Sequence, residues 1–240
     1  MTLVIEKGGR RGAAALLAAA TLLAASPACA GSFQVNPVNV ALAPDKGSTE
    51  LSLVNADAAS VSVRVTALRW TQKDGADVYE PTRDVIASPP IFTVAPGARQ
   101  LIRIGLRSRV PGTAYRLIVE EIPGPPVEGS GIKVALKLNL PFYVLSPGRA
   151  GATLSWTAHR GANGELFAQA RNGGAQHAQV LGLEARDGAG RAIGGSKAMG
   201  VVLPMSARRW SLGAAKSAPA ELIVKTAQGE TRSIVRVEQP

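Results

Sequence analysis

The sequence predicts an all-β protein built as two immunoglobulin-like β-sandwiches in tandem. Three observations carry that reading. From Ser32 onward apolar residues recur at spacing two, the period of a half-buried strand, and no stretch keeps helical spacing. Turn residues break the alternation about every eight to twelve positions, as they do in sandwich domains. About seven strands fit into roughly 115 residues, the size of one immunoglobulin-like domain, before Gly148 to Gly151 reads as a linker. We therefore expect a first domain over residues 31–148 and a smaller second one over 149–240.

The first thirty residues stand apart from this pattern. Lys7, Arg10 and Arg11 form a positive start, Ala13 to Ala25 contains only Ala, Leu and Thr, and Ala28-Cys29-Ala30 puts small residues where a signal peptidase reads. Residues 1–30 thus read as a signal peptide cleaved after Ala30. An apolar run of 13 residues falls short of the ~20 that a spanning helix needs, so no stable membrane insertion is expected. Acylation at Cys29 is the alternative, with a poor lead-in at Ser26-Pro27-Ala28.

Cys29 is the only cysteine, so the mature chain has none. A secreted chain without disulfides must be held by its core, and thiol nucleophiles and cysteine metal sites are excluded. His159 and His177 are the only imidazoles, which leaves little for hydrolytic or zinc chemistry. No nucleophile–base pairing or G-x-S-x-G pattern is present, and neither an enzymatic activity nor a cofactor is expected. The formal charge is +10, of which the leader carries +2 through Lys7, Arg10, Arg11 and Glu6. The basic residues are dispersed and aromatics are few, so a nucleic-acid partner is not expected.

Taken in order, Phe33 to Leu42 reads as a first strand interrupted by Pro37, which suits an edge or a bulge. Ser48 to Asn55 alternates with Leu51 and Leu53 on one face, and Val61 to Trp70 does so with Val61, Val63 and Val65. Thr71 to Tyr79 is a polar hairpin with Asp74-Gly75 at its tip, expected to be solvated. Ser88-Pro89-Pro90 precedes a short strand, Ile91 to Val94, closed by Pro96-Gly97. Gln100 to Leu106 and Tyr115 to Ile122 follow. Ile132 to Leu140 then alternates strictly over nine residues, with Ile132, Val134, Leu136, Leu138 and Leu140 aliphatic. Such a strand either belongs to its own core or, at a sheet edge, offers that face and its free backbone groups to another chain. Beyond the linker, seven short candidates span Ala152 to Ala158, Glu165 to Arg171, Ala178 to Ala185, Ala198 to Pro204, Ala207 to Leu212, Ala220 to Thr226 and Ser233 to Glu238. Trp70 and Trp156 read as core.

Ser88-Pro89-Pro90 before a short strand, the Pro96-Gly97 turn followed by Gln100 to Leu106, the motif Tyr115 to Pro123 (YRLIVEEIP) and the strand ending in Leu140-Pro141-Phe142-Tyr143-Val144 resemble, in this order, the periplasmic pilus or fimbrial chaperones of chaperone–usher systems. The Tyr115 to Pro123 motif is most similar to the alternative, or archaic, branch. The resemblance covers Ser32 to about Pro147. It implies two immunoglobulin-like domains in a boomerang arrangement and an activity of binding rather than catalysis. The partners would be pilus subunits that lack their last strand, and an outer-membrane usher to which they are delivered. The location would be the periplasm.

Under that resemblance Ile132, Val134, Leu136 and Leu138 are the donor residues that complete a subunit. Burying four such side chains contributes on the order of 6–10 kcal/mol before ordering costs. The family also holds the subunit's C-terminal carboxylate with cleft cations. Asn39 and Asn139 stand where relatives carry arginine and lysine, so Arg116 and Lys137 are the expected replacements, Arg116 because its fork grips a carboxylate with two bonds. Glu121 fits the family's interdomain ionic network, without a clear acidic partner near Gln228-Gly229. Self-association through the exposed strand is a further expectation. The alternative reading is a structural pilus subunit or adhesin-like surface protein of the same fold.

Overall fold

A computed structural model describes residues 33–124, 134–148, 151–161, 163–215 and 217–238. The leader assigned to residues 1–30 lies outside them. In chain order the first strands are β1 (Phe33–Asn36), β2 (Val40–Leu42), β3 (Ser48–Asn55), β4 (Val61–Lys73), β5 (Ala76–Pro81), β6 (Val85–Ser88), β7 (Ile91–Val94), β8 (Arg99–Leu106), β9 (Ala114–Glu121) and β10 (Lys137–Val144). They make two facing sheets, ordered β1-β3-β8-β6 and β2-β10-β9-β4-β5, with β7 also paired to β4. The alternating residues read from the sequence meet between them: Leu51 and Leu53, Val63 and Val65, Ile102 and Ile104 pack with Leu117, Val119 and Phe142. Leu101 and Arg103 point outward.

The expected first strand is two strands in different sheets. β1 pairs antiparallel with β3, whereas β2 runs parallel to β10 in the opposite sheet. Pro37 lies at the crossing, where its missing N–H costs no ladder bond.

The second sandwich holds β11 (Leu154–Arg160), β12 (Glu165–Asn172), β13 (Ala178–Arg186), β14 (Ala192–Ser196), β15 (Gly200–Val202), β16 (Ala207–Ala214), β17 (Glu221–Thr226), β18 (Gly229–Ile234) and β19 (Arg236–Glu238). Its sheets are β16-β12-β11-β19 and β14-β13-β17-β18, with β15 on β13. Trp156, Leu166, Val180, Leu183, Trp210 and Leu222 fill the space between them. β14, Ala-Ile-Gly-Gly-Ser, lies outside the sequence expectation, and β18, Gly-Glu-Thr-Arg-Ser-Ile, meets it only at Ser233 and Ile234, because neither alternates.

One fastening recurs in both sandwiches. Buried Asn55, at the end of β3, donates from Nδ2 to the carbonyls of Ala59 and Val94 and accepts the Asp57 N–H. Buried Asn172, at the end of β12, donates to the carbonyls of Gln176 and Val202 and accepts from the N–H groups of Thr153 and Gly174. Each amide closes a turn four residues on and ties it to a neighbouring strand, which satisfies backbone groups that burial would otherwise strand.

The sandwiches meet through a small cluster of Trp70, Ala114 and Tyr143 from the first and Leu203 from the second. The Gln72 side chain bridges them as a strand edge would, donating to the Val201 carbonyl at 2.6 Å and accepting the Leu203 N–H at 3.0 Å. The tip of the β4–β5 hairpin is exposed at Lys73, Asp74 and Ala76, as expected, yet it also rests on β16. Arg209 donates its N–H to the Gly75 carbonyl and a guanidinium N–H to the Asp74 carbonyl, each at 2.9 Å. Gly75 is required there, since its φ is +80° and a Cβ would stand 2.9 Å from that of Arg209.

Candidate functional site

β10 has an open edge. Its antiparallel pairing with β9 runs from Lys137 opposite Glu120 to Tyr143 opposite Ala114, while β2 covers only Phe142, Tyr143 and Val144 on the other side. Among the described residues no strand pairs with Lys137 to Pro141 on that side. The Glu121 N–H donates to the Leu136 carbonyl at 2.9 Å, and the Val144 N–H reaches the Thr113 carbonyl, so even-numbered residues turn their backbone to the β9 side. By alternation Lys137 and Asn139 present their N–H and C=O groups to the open edge.

The aliphatic row opens gradually. Phe142 and Leu140 are buried, Leu138 and Leu136 are half-buried against the first core, and Val134 is 67% exposed. Ile132 lies outside the described residues. Regular pairing begins at Lys137, five residues later than the alternation does, although Leu136 is still held from both sides of its peptide: its N–H donates to the Glu121 carboxylate at 3.2 Å. Glu121 therefore serves β10 here, not an interdomain network.

At the far end of this edge lies a cavity of about 270 Å³ between the sandwiches. Asn39 and Pro141 line it, at the point where β2 begins to cover β10. Arg116, which sits opposite Pro141 on β9, lies over the Trp70 ring with its guanidinium carbon 3.9 Å from the ring centroid. Stacking on a buried indole fixes the fork by cation–π attraction. The Arg116 Nε is buried with no hydrogen-bond partner among the described residues. Lys137, the other expected anchor, is exposed outside the cavity and pairs with Glu120 at 3.3 Å.

The second sandwich contributes Arg208, whose guanidinium binds the Asp77 carboxylate across the joint. Asp77 also accepts from Trp70 Nε1 and Gln72 Nε2, both at 2.9 Å. Burial pushes its carboxyl up, but the hydrogen bonds of Gln72, Arg208 and Trp70 and the Arg208 charge together hold it below the usual carboxylate range. Asp77, expected in a solvated hairpin, is thus the ionic centre of the joint. Tyr143 and His177 stack face to face, 3.6 Å apart and 8° from parallel. Burial pushes the Tyr143 hydroxyl up to about 12, against the pull of Arg116, and burial lowers His177.

Nothing in the sequence singles out Arg208, Asp77, Gln72 or His177 as members of one site. Arg208 stands beside Arg209 and Trp210, the only local hint; the pairing with Asp77 spans 131 residues.

Residues 32–146 match the family model described as pili and flagellar-assembly chaperone, PapD N-terminal domain. No curated protein matches the chain in sequence. Among solved structures, the chaperone–tip adhesion subunit pre-assembly complex CsuC–CsuE from archaic chaperone–usher Csu pili of Acinetobacter baumannii contains a chain 19% identical, with a TM-score of 0.65 over 86% of this chain and 99% of that one. The complex of the Salmonella enterica SafA pilin with the SafB chaperone aligns at 14% identity and a TM-score of 0.61, over 85% and 96%. The E. coli chaperone DraB aligns at 18% and 0.58, over 87% and 97%. At these identities the likeness is one of fold, two immunoglobulin-like sandwiches.

Proposed function

Because residues 32–146 match the model of the PapD-type pili and flagellar-assembly chaperones, we propose that this chain belongs to that family, binds and caps pilus or fimbrial subunits in the periplasm by donor-strand complementation, and hands them to an outer-membrane usher. The similar complexes with a tip adhesion subunit and a pilin support a subunit as partner.

The observation that carries the mechanism is the alignment of the open β10 edge with the cleft cavity. A strand added beside Lys137 and Asn139 finds free backbone groups, in the mode of strand addition to a sheet edge. In that mode main-chain bonds give affinity, and pockets for alternate side chains give specificity. Val134, Leu136 and Leu138 keep apolar area uncovered on the adjoining face; with Ile132 they form the donor row. Such a strand, running parallel to β10, is in line with β2 and meets β2 end-on at Asn39, so its C-terminus arrives at the cavity. There the stacked Arg116 anchors the terminal carboxylate; Lys137, tied to Glu120 outside the cavity, is the weaker candidate. We keep the division into domains at residues 31–148 and 149–240, with 1–30 as the periplasmic signal.

The test is co-purification with a subunit. Val134→Asp puts a charge on the exposed end of the donor row and is expected to abolish the complex while leaving the chaperone folded, as read by circular dichroism. A stable complex from this variant sinks the reading.

A further inference from the structure

Among the described residues two cations and one carboxylate line the cavity: Arg116, Arg208 and Asp77. One positive charge is therefore left uncompensated in a partly enclosed space, where an added anion meets less screening than at the surface. Arg116 is held by an aromatic face, and among the described residues its buried Nε has no hydrogen-bond partner. Arg208 is engaged by Asp77 alone among the carboxylates of the described residues, and its side chain reaches the cavity by passing over Gly200, where a Cβ would stand 2.5 Å from its Nε. The glycine is the opening through which the second sandwich delivers a charge into the cleft.

We propose that Arg208 is the second cation of the carboxylate pocket, exchanged from Asp77 to the C-terminal carboxylate of the bound subunit, so that capture loosens the ionic tie between the sandwiches. This rests on the reading of Arg116 as anchor. Two guanidinium groups converging from different sandwiches grip a carboxylate with charge-assisted bonds on both of its oxygens. Asp77 keeps the Trp70 and Gln72 hydrogen bonds after the exchange, so its carboxylate does not stand bare when Arg208 leaves.

Arg208 as a mere fastener of the joint makes a different forecast from Arg208 as a ligand group, and Asp77→Asn separates them. Asparagine still accepts from Trp70 and Gln72 through its carbonyl oxygen but releases Arg208. The affinity of a subunit, prepared with a free or an amidated C-terminus, is measured for wild type, Arg116→Ala, Arg208→Ala and Asp77→Asn. For the free carboxylate, Arg208→Ala is expected to weaken binding about tenfold and Asp77→Asn to tighten it several-fold. Amidation is expected to erase both effects. If Arg208→Ala and Asp77→Asn weaken binding together, with the free and the amidated subunit alike, Arg208 is a fastener and the proposal falls. If Arg116→Ala and amidation weaken binding while Arg208→Ala does not, the anchor stands and the exchange falls. If neither Arg116→Ala nor amidation has an effect, the anchor itself falls, and the exchange with it.

Discussion

At the scale of single residues, the cleft is governed by how each charge is held. Arg116 stacks on Trp70 rather than pairing with Glu120, which is already taken by Lys137 and Arg64. Arg116→Ala is expected to lower subunit affinity about tenfold or more, since a charge-assisted bond to the carboxylate is lost. The lost stack costs the fold only about 0.5–2 kcal/mol. Binding by calorimetry beside a thermal melt separates the two effects; unchanged affinity would remove Arg116 from the pocket. His177 makes a second forecast. Its burial against Tyr143 lowers its pKa below the ordinary 6.5, so below about pH 6.5 the unfolded chain takes up a proton before the folded one does. Stability is therefore expected to fall as pH drops from 6.5 through the lowered value. His177→Phe, which keeps a ring to stack, is expected to lose that slope in urea midpoints measured between about pH 7.5 and 5. The Asp77 carboxyl is also lowered, and its contribution fades only in the carboxylate range below 3.8, so the windows do not overlap. Arg116 was legible as a basic residue inside a recognisable motif. Asp77 and Arg208 were not, because nothing local distinguishes a hairpin aspartate that faces water from one that meets an arginine 131 positions on.

At the scale of elements, β10 is one strand with two halves. Leu140 and Phe142 are committed to the core, whereas the row from Leu138 back to Val134 is progressively uncovered. The same truncation should therefore read differently along it. Leu140→Ala is expected to cost about 2–5 kcal/mol of stability, the range for a buried leucine, and Leu136→Ala less, as the half-buried side chain leaves a smaller void. In subunit binding the order is expected to reverse. Denaturant midpoints and pull-down yields on the two variants check this, and equal stability losses would mean that Leu136 belongs to the core as firmly as Leu140. The strict alternation made the strand and its greasy face legible in the sequence. Where the core part stops was not legible, because that is set by β2, three residues from far upstream that cover the strand's last three. The same kind of long-range pairing hid β14 and most of β18, whose glycine and polar residues become strands only because β13 and β17 offer them partners.

At the scale of the whole molecule, the second sandwich completes a site that the first cannot close alone. It supplies Arg208, His177 and the floor at Gly200 and Val201, and it is locked to the β4–β5 hairpin through Gln72, Asp77 and Gly75. The weaker apolar content of the second half, plain in the sequence, fits a body that borrows part of its packing from Trp70 and Tyr143 at the joint. The meeting of β2 with the open edge has one more consequence, for length. If the subunit's carboxylate is fixed at the cavity as proposed, β2 stands as an end stop and the edge becomes a gauge that counts residues back from the subunit's terminus. Because side chains alternate across a strand, one residue added to that terminus turns every preceding side chain to the wrong face, whereas two restore the faces and only slide them by about 7 Å. Subunits lengthened by one residue are thus expected to bind more weakly than subunits lengthened by two, a non-monotonic pattern that a simple apolar contact would not produce.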